Sequence, residues 1–215
     1  MGASGDRNKL TAIEGSEIGG FTIRISEPVP TRLRGAWRFN LRLKDEKGKT
    51  SAPIIEGRYF EGRGKWIRPW LEVEYRSTAD FDGFDVELSM GSEIRLFEAL
   101  SSILPPGGHI MVKYGEHRDT ARALAINVPP PATPLGYLLW QAGFRWFKDW
   151  YFPEGWMEGS EKLQGNKPLD EEHAKKRAKE ASIELKAFLK GKFNWDDELL
   201  ARCRKLAGEI LNFTE

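Results

Sequence analysis

The chain has 215 residues, of which 40% are hydrophobic and 12% aromatic, and its 33 Lys and Arg side chains nearly balance 32 Asp and Glu side chains. This composition is typical of a folded globular protein and excludes a disordered chain, a collagen-like fibre and a membrane-spanning protein. A net charge of +1 argues against a general nucleic-acid binder. The single cysteine, Cys203, excludes a disulfide framework within one chain.

The beginning of the chain and its overall composition bear on where the protein acts. Residues 1–10 are polar and charged with no apolar stretch behind them, so we expect no secretory signal and a cytoplasmic protein. Two glutamines and one cysteine among many charged residues favour a thermophilic source.

Alternation of apolar and polar residues predicts an antiparallel meander in the first half of the chain. After a glycine-rich arm over residues 1–20, strands are predicted over 21–26, 35–44, 52–60 and 66–76. The clearest is the second, in which Trp37, Phe39, Leu41 and Leu43 share one face.

Helical periodicity enters after this meander. A short strand over 84–89 leads into a segment whose apolar residues recur at helical spacing from Ile94 to Ile103, with Ser92 expected to cap the helix. A buried strand over 109–114, a charged loop over 116–122 and a helix over 135–141 follow.

The last third of the chain predicts a hairpin and then two long helices. Strands are expected over 144–152 and 156–164, and charged helices over 169–189 and 195–213. We therefore predict a mixed α/β domain over residues 1–168 and a helical hairpin over 169–215 packed on it.

The segment from Pro134 to Phe144 reads Pro-Leu-Gly-Tyr-Leu-Leu-Trp-Gln-Ala-Gly-Phe, a helix that ends in Ala-Gly-Phe before a strand. It resembles the helix that precedes the last strands of GNAT-like N-acyltransferases, and the resemblance covers residues 35–164. The whole chain also resembles an uncharacterised archaeal protein family grouped with those enzymes. The resemblance implies a GNAT-like fold: an antiparallel meander followed by β-α-β-α-β, here with a C-terminal helical hairpin.

The resemblance also implies an activity, the transfer of an acyl group from acetyl-CoA or another acyl-CoA to a small-molecule or peptide amine. In these enzymes backbone amides at a helix N-terminus hold the cofactor pyrophosphate. The matching segment here is Leu88-Ser-Met-Gly-Ser-Glu-Ile94, which lacks the family's basic residue and glycine pattern. Gly91, Ser92 and Glu93 are the candidate cofactor-binding residues.

Two residues are candidates for proton transfer in such a reaction. Family enzymes use a tyrosine on the helix before Gly-Phe as general acid; the matching position is Leu139, and Tyr137 is the nearest tyrosine. Glu87, on the predicted short strand, is the candidate base. Packing for Tyr137 and a solvent-facing edge for Glu87 are the alternatives. A cleft is expected where the strands over 84–89 and 109–114 splay apart as parallel neighbours.

A substrate wall is predicted on the strand over 66–76. Trp66, Arg68 and Trp70 share one of its faces with two glutamates, and tryptophans flanking an arginine bind ligands by stacking and charge-assisted hydrogen bonds. Ordinary packing of aromatic residues in a sheet is the alternative.

A different class of function stays open, a non-enzymatic binding or assembly protein on a degenerate acyltransferase fold. The aromatic residues between 140 and 156 would suit a core, an apolar pocket or a homodimer interface. The basic strand face of Arg38, Arg42 and Lys44 is the best candidate for RNA, although we do not expect a nucleic-acid partner. The three histidines lack metal-ligand spacing, so no metal site is expected.

Overall fold

A computed structural model describes residues 7–33, 35–62, 67–114, 117–150, 161–195 and 197–214. The fold is mixed α+β with a mostly antiparallel sheet, as predicted. The chain forms two compact units, Met1–Val112 and Lys113–Glu215. The domain boundary expected after residue 168 stays a prediction.

The first unit is built on a sheet that follows the meander of the chain. Its strands are β1 (Glu17–Ile18), β2 (Phe21–Ile25), β3 (Val29–Pro30), β4 (Ala36–Lys44), β5 (Ile55–Phe60), β6 (Trp70–Tyr75), β7 (Thr78–Asp80), β8 (Asp85–Glu87) and β9 (His109–Lys113). In this unit the sheet order is β1-β2-β4-β5-β6-β9, and β3 also pairs with β4. The pairs from β1 to β6 are antiparallel, as the predicted meander requires.

The predicted alternation places one face of β4 in the core. Phe39, Leu41 and Leu43 are fully buried, whereas Arg38 and Arg42 lie on the opposite, exposed face. Phe39 lies opposite Gly57 of β5, where an added Cβ would be 2.9 Å from the Phe39 ring. Only glycine therefore fits against this ring without displacing it.

The strand over 84–89 is placed differently from our prediction. It forms β8, which pairs with β7 in a separate two-stranded sheet. The expected parallel pairing of this strand with the one over 109–114 is wrong, because β6 is the neighbour of β9 within the first unit. β7 has only three residues and is followed by turn-forming residues, among them Asp82 and Gly83 with positive φ, so the sequence pattern indicates a turn there rather than a strand.

Among the described residues of the first unit, α1 (Arg7–Thr11), which falls in the expected loose arm, and α2 (Met90–Ile103) are helical. The predicted amphipathic character of α2 is confirmed, since Leu96, Phe97 and Leu100 are fully buried. Its N-cap is Ser89 rather than the predicted Ser92, because the Ser89 hydroxyl accepts the Ser92 amide at 3.2 Å.

The second unit contains the remaining elements. They are α3 (Arg118–Ala125), a 3₁₀ turn (Pro130–Ala132), α4 (Pro134–Gln141), β10 (Trp146–Trp150), β11 (Lys162–Asn166), α5 (Glu171–Lys190) and α6 (Glu198–Thr214). The loop predicted over 116–122 is wrong, because most of it is helical. The hairpin is confirmed as β10 paired antiparallel to β11, and the predicted strand residues 151, 152 and 156–160 lie outside the described residues.

The predicted helical hairpin is confirmed as α5 and α6, which pack on each other. Leu185 and Phe188 of α5 and Leu206 and Ile210 of α6 are buried. Cys203 is fully buried, and burial is the main cause that raises its pKa to about 11, so it is an unreactive packing thiol.

Candidate functional site

The N-terminus of α2 lies at the carboxyl end of β6. The hydroxyl of Tyr75, the last residue of β6, donates to the Glu93 carboxylate at 2.7 Å. Burial and this carboxylate raise the pKa of Tyr75. The predicted anion-binding segment is therefore joined to the end of a sheet strand, and its one negative side chain is held by a hydrogen bond.

Of the three residues predicted to bind a cofactor, Ser92 is the most enclosed. It is only 5% exposed, its hydroxyl lies 2.9 Å from that of Ser89, and a Cβ added to Gly19 would collide with it. Ser92 thus belongs to the internal hydrogen bonds of the cap rather than to an open surface.

Gly91 has the opposite character. It is exposed, and the nearest atom that an added Cβ would meet is the Ser89 hydroxyl at 3.9 Å. The amides of Met90 and Gly91 precede the first intrahelical hydrogen bonds of α2 and lie at the positive end of its dipole. An anion can approach these two amides without displacing a side chain.

Three aromatic rings lie side by side on the face of the sheet opposite the apolar core. The rings of Phe60 and Trp70 have centroids 3.7 Å apart, and those of Trp70 and His109 are 5.5 Å apart, with both pairs inclined by 5°. We call Phe60, Trp70 and His109 the ring row. It runs across β5, β6 and β9.

An ion pair lies next to the ring row on the same face. Arg58 of β5 is opposite Glu72 of β6 in the strand register, and its guanidinium lies 3.0 Å from the carboxylate. Glu72 is only 7% exposed, whereas Arg58 keeps part of its surface in water. The prediction that Trp70, Glu72 and Glu74 share one strand face is confirmed.

His109 is a member of the ring row that the sequence analysis did not single out. Burial lowers its pKa to about 4, so its imidazole is neutral at pH 7. Alternation in β5, which turns Glu56, Arg58 and Phe60 to one side, carried a signal for this face. The stacking of His109 on Trp70 requires that β9 lie beside β6, and these strands are far apart in the sequence.

The other predicted substrate-wall residues differ from Trp70. Arg68 is exposed and precedes the first residue of β6, and Trp66 lies outside the described residues. Trp70 is therefore the member of the predicted wall that the structure places in a defined aromatic contact.

The two predicted proton-transfer residues stay predictions, and their surroundings are distinct. Glu87 is exposed on β8, opposite Thr78. Tyr137 is buried in α4, and its hydroxyl donates to the Glu209 carboxylate of α6 at 2.6 Å. Burial and this carboxylate raise the pKa of Tyr137 to about 12, so the phenol is protonated and already has an acceptor.

The basic strand face proposed for RNA is interrupted by other contacts. Arg42 donates to the carbonyl of Ser51 at 3.2 Å, and Asn40, between Arg38 and Arg42 on this face, lies opposite Glu56. Positive charge is therefore mixed with acidic side chains along this surface.

Within the part of the chain that the structure describes, no three His, Cys, Asp or Glu side chains are grouped so that they could hold a metal ion. None of the helices described combines the length and apolar character needed to cross a membrane.

Comparison with known proteins identifies the family. The family described as a protein of unknown function (DUF1122) matches residues 19–192. The chain belongs to this family. A crystal structure of a protein of unknown function from Aquifex aeolicus VF5 is similar over 97% of this chain and 98% of that chain, with 27% identity and a TM-score of 0.71. No curated protein matches the chain.

These relatives name no activity, ligand or partner. DUF1122 family membership therefore leaves the predicted resemblance to GNAT-like acyltransferases, and the archaeal source, as predictions.

Proposed function

We propose that the protein is an acyl-CoA-dependent N-acyltransferase with a GNAT-like fold, which moves an acyl group from acetyl-CoA or another acyl-CoA to an amine. The observation that carries this proposal is the position of α2. The chain leaves β6, forms the β7–β8 hairpin and then α2, and returns to the sheet as β9 beside β6; the N-terminus of α2 lies at the carboxyl end of β6. The later order of α4 followed by the β10–β11 hairpin is also the order that the resemblance implies.

The residues at the start of α2 fit an anionic donor through the backbone alone. Met90 and Gly91 are exposed residues whose amides at the helix N-terminus suit a pyrophosphate, and Gly91 leaves room for its close approach. Glu93 adds a negative charge, but the Tyr75 hydroxyl bonds it at 2.7 Å. Binding here would depend on helix amides rather than on a basic side chain.

The reaction needs a base for the attacking amine. The amine nitrogen forms a bond to the thioester carbonyl carbon, the carbon–sulfur bond breaks, and one proton leaves the nitrogen while the thiolate takes up another. Glu87 is the base expected from the sequence, which placed it in a cleft beside the strand over 109–114; its strand, β8, pairs with β7 instead. Glu74, half-buried and one residue before the end of β6, is a second carboxylate near the strand end that adjoins α2.

Titration of the full chain with acetyl-CoA tests the proposal. A Gly91→Glu variant places a carboxylate beside the open amides, and Gly91→Gln is the matched neutral control. We expect Gly91→Glu to weaken binding at least about tenfold by charge repulsion and Gly91→Gln to weaken it much less. Absence of saturable binding to the unmodified protein would overturn the proposal.

Thiol release with a panel of primary amines then tests catalysis. A loss of turnover in Glu87→Gln or in Glu74→Gln, with acetyl-CoA affinity unchanged, would identify which carboxylate is the base.

A non-enzymatic acyl-CoA-binding protein is the second candidate, favoured by one specific observation. The hydroxyl of Tyr137, the predicted acid, is already hydrogen-bonded to Glu209. Acetyl-CoA binding without thiol release for any amine tested would support this second function over the first.

A further inference from the structure

A groove of about 500 Å³ lies in the second unit, and no part of the proposed acyltransferase uses it. Its floor is one face of α5 that carries small side chains at a spacing of four residues: Ala174, Ala178 and Ser182. Trp140 at the end of α4 and Phe213 near the end of α6 complete its aromatic lining. A volume of this size falls within the range of small-molecule sites.

The charged side chains that line this groove are all positive. They are Arg145, Lys175, Lys179 and Lys186, and no aspartate or glutamate lines it among the described residues. The whole chain has nearly equal numbers of acidic and basic residues, so a groove lined by four basic side chains differs from the average charge balance of the protein. Such a surface attracts an anion with several charges.

Arg145 is the groove residue whose contacts point most clearly to an anionic ligand. One guanidinium nitrogen donates to the carbonyls of Trp140 at 2.6 Å and Phe144 at 2.9 Å, and the guanidinium lies 4.6 Å from the Trp140 ring centre. No carboxylate of the described residues lies within ion-pair distance of it. Burial lowers its pKa.

Arg145 is half-buried, and partial removal of a guanidinium from water costs free energy that an opposite charge would offset. Two carbonyls satisfy only part of a guanidinium with five N–H donors. The remaining donors and the positive charge are those that a phosphate oxygen satisfies well.

The lysines extend the positive charge along α5. Lys179 is exposed one helical turn after Lys175, which pairs with Glu171 at 2.6 Å where both side chains are largely in water. An exposed pair of this kind is weak and readily exchanges for a phosphate. Lys175 and Lys179 thus place two cations one helical turn apart on α5, which suits a chain of two or three phosphates.

Phe213 adds an apolar contact to this charge. Its side chain is 76% exposed although it lines the groove, and an exposed phenyl ring beside cations offers a planar group a surface on which to stack. The cations and the phenyl ring together favour a ligand that carries both negative charge and a planar ring.

We propose that this groove binds a nucleoside polyphosphate, with its phosphates on Arg145 and the α5 lysines and its base against Phe213. The proposal is independent of the acyltransferase function, because its residues all belong to the second unit and the α2 amides belong to the first.

Calorimetric titration of the full chain with ADP, ATP and inorganic pyrophosphate tests it. We expect saturable one-to-one binding of the nucleotides that weakens with added salt. Lys179→Gln should weaken ADP binding about tenfold, because a hydrogen bond to a charged group is lost. Lys176→Gln, an equal change of charge at an exposed position of α5 outside the groove, is the matched control and should keep the affinity.

The ring contact has its own test. Phe213→Ala should weaken ADP several-fold and leave pyrophosphate unchanged, because only the nucleotide carries a base. Thermal unfolding of each variant checks that it remains folded.

Three results would overturn the proposal. They are no binding of ADP at millimolar concentration, equal losses in Lys179→Gln and Lys176→Gln, and pyrophosphate affinity equal to that of ADP.

Discussion

Two surfaces of the molecule use the same kinds of side chain with opposite results. The outer sheet face of the first unit and the groove of the second unit each hold aromatic rings and arginine. On the sheet face, Trp70 lies between two parallel rings and Arg58 pairs with Glu72. In the groove, Arg145 donates to two backbone carbonyls and lies over the Trp140 ring with no carboxylate partner among the described residues, and Phe213 is largely exposed.

This difference in how the rings and charged groups are partnered indicates which surface is the better candidate for a ligand site. Where rings and charges satisfy one another, the fold itself explains them, because partnered polar groups and stacked rings contribute to stability. Where a half-buried cation has no carboxylate partner among the described residues, the fold leaves its charge unbalanced, and an anionic ligand would balance it. The sheet face that the sequence favoured as a substrate wall is therefore the better packed surface, and the groove is the more open one.

The largest expected effect comes from removing one ring from each surface. Trp70→Ala should lower the free energy of unfolding by about 3 kcal/mol, because it removes a half-buried ring stacked on two others. Phe213→Ala should change it by less than about 0.5 kcal/mol, since that ring is largely exposed. Urea unfolding at pH 7 measures both, and equal losses would show that the two surfaces do not differ.

A smaller effect is expected from breaking one ion pair in each unit. Glu72→Gln should cost about 2 kcal/mol of unfolding free energy, because it leaves the Arg58 guanidinium without its buried partner. The cost stays below that of a fully buried pair because Arg58 can turn towards water. Glu171→Gln breaks the exposed pair with Lys175 and should cost less than about 0.5 kcal/mol. Comparable small losses in both variants would mean that Glu72 is not held by Arg58.

Local patterns predicted most of the elements but few of their neighbours. Alternation in β4 located a core face, and helical spacing located α2, because both depend on residues close in sequence. The β7–β8 hairpin was missed because a three-residue strand has too little alternation to stand out from its turns. The cap of α2 was placed at Ser92 rather than Ser89 because both serines precede the apolar run.

The groove lay beyond sequence reasoning for a similar reason. Its residues come from α4, α5, α6 and the turn before β10, and periodicity shows which face of a helix is apolar without showing which helix lies beside it. The lysines of α5 resemble an ordinary solvated helix face. Their proposed role follows from the position of Arg145, which contacts two carbonyls and the Trp140 ring but no carboxylate of the described residues.

The smallest expected effect is a dependence of the unfolding free energy on pH, caused by protonation of His109 in the ring row. Its pKa is lowered from 6.5 to about 4 by burial, so between these values the unfolded chain binds the proton more readily than the folded chain. The stability due to the neutral imidazole is fully present above pH 6.5 and is lost as the pH falls towards 4. Between pH 7 and pH 5 we expect the free energy of unfolding to fall by about 1 kcal/mol, a value reduced for the partial exposure of His109.

His109→Phe keeps a ring next to Trp70 but cannot take a proton, so urea unfolding of this variant should lack that part of the loss. The same pH dependence in both proteins would mean that His109 is as accessible to protons in the folded state as in the unfolded one, and the ring row would then be an open surface like the groove.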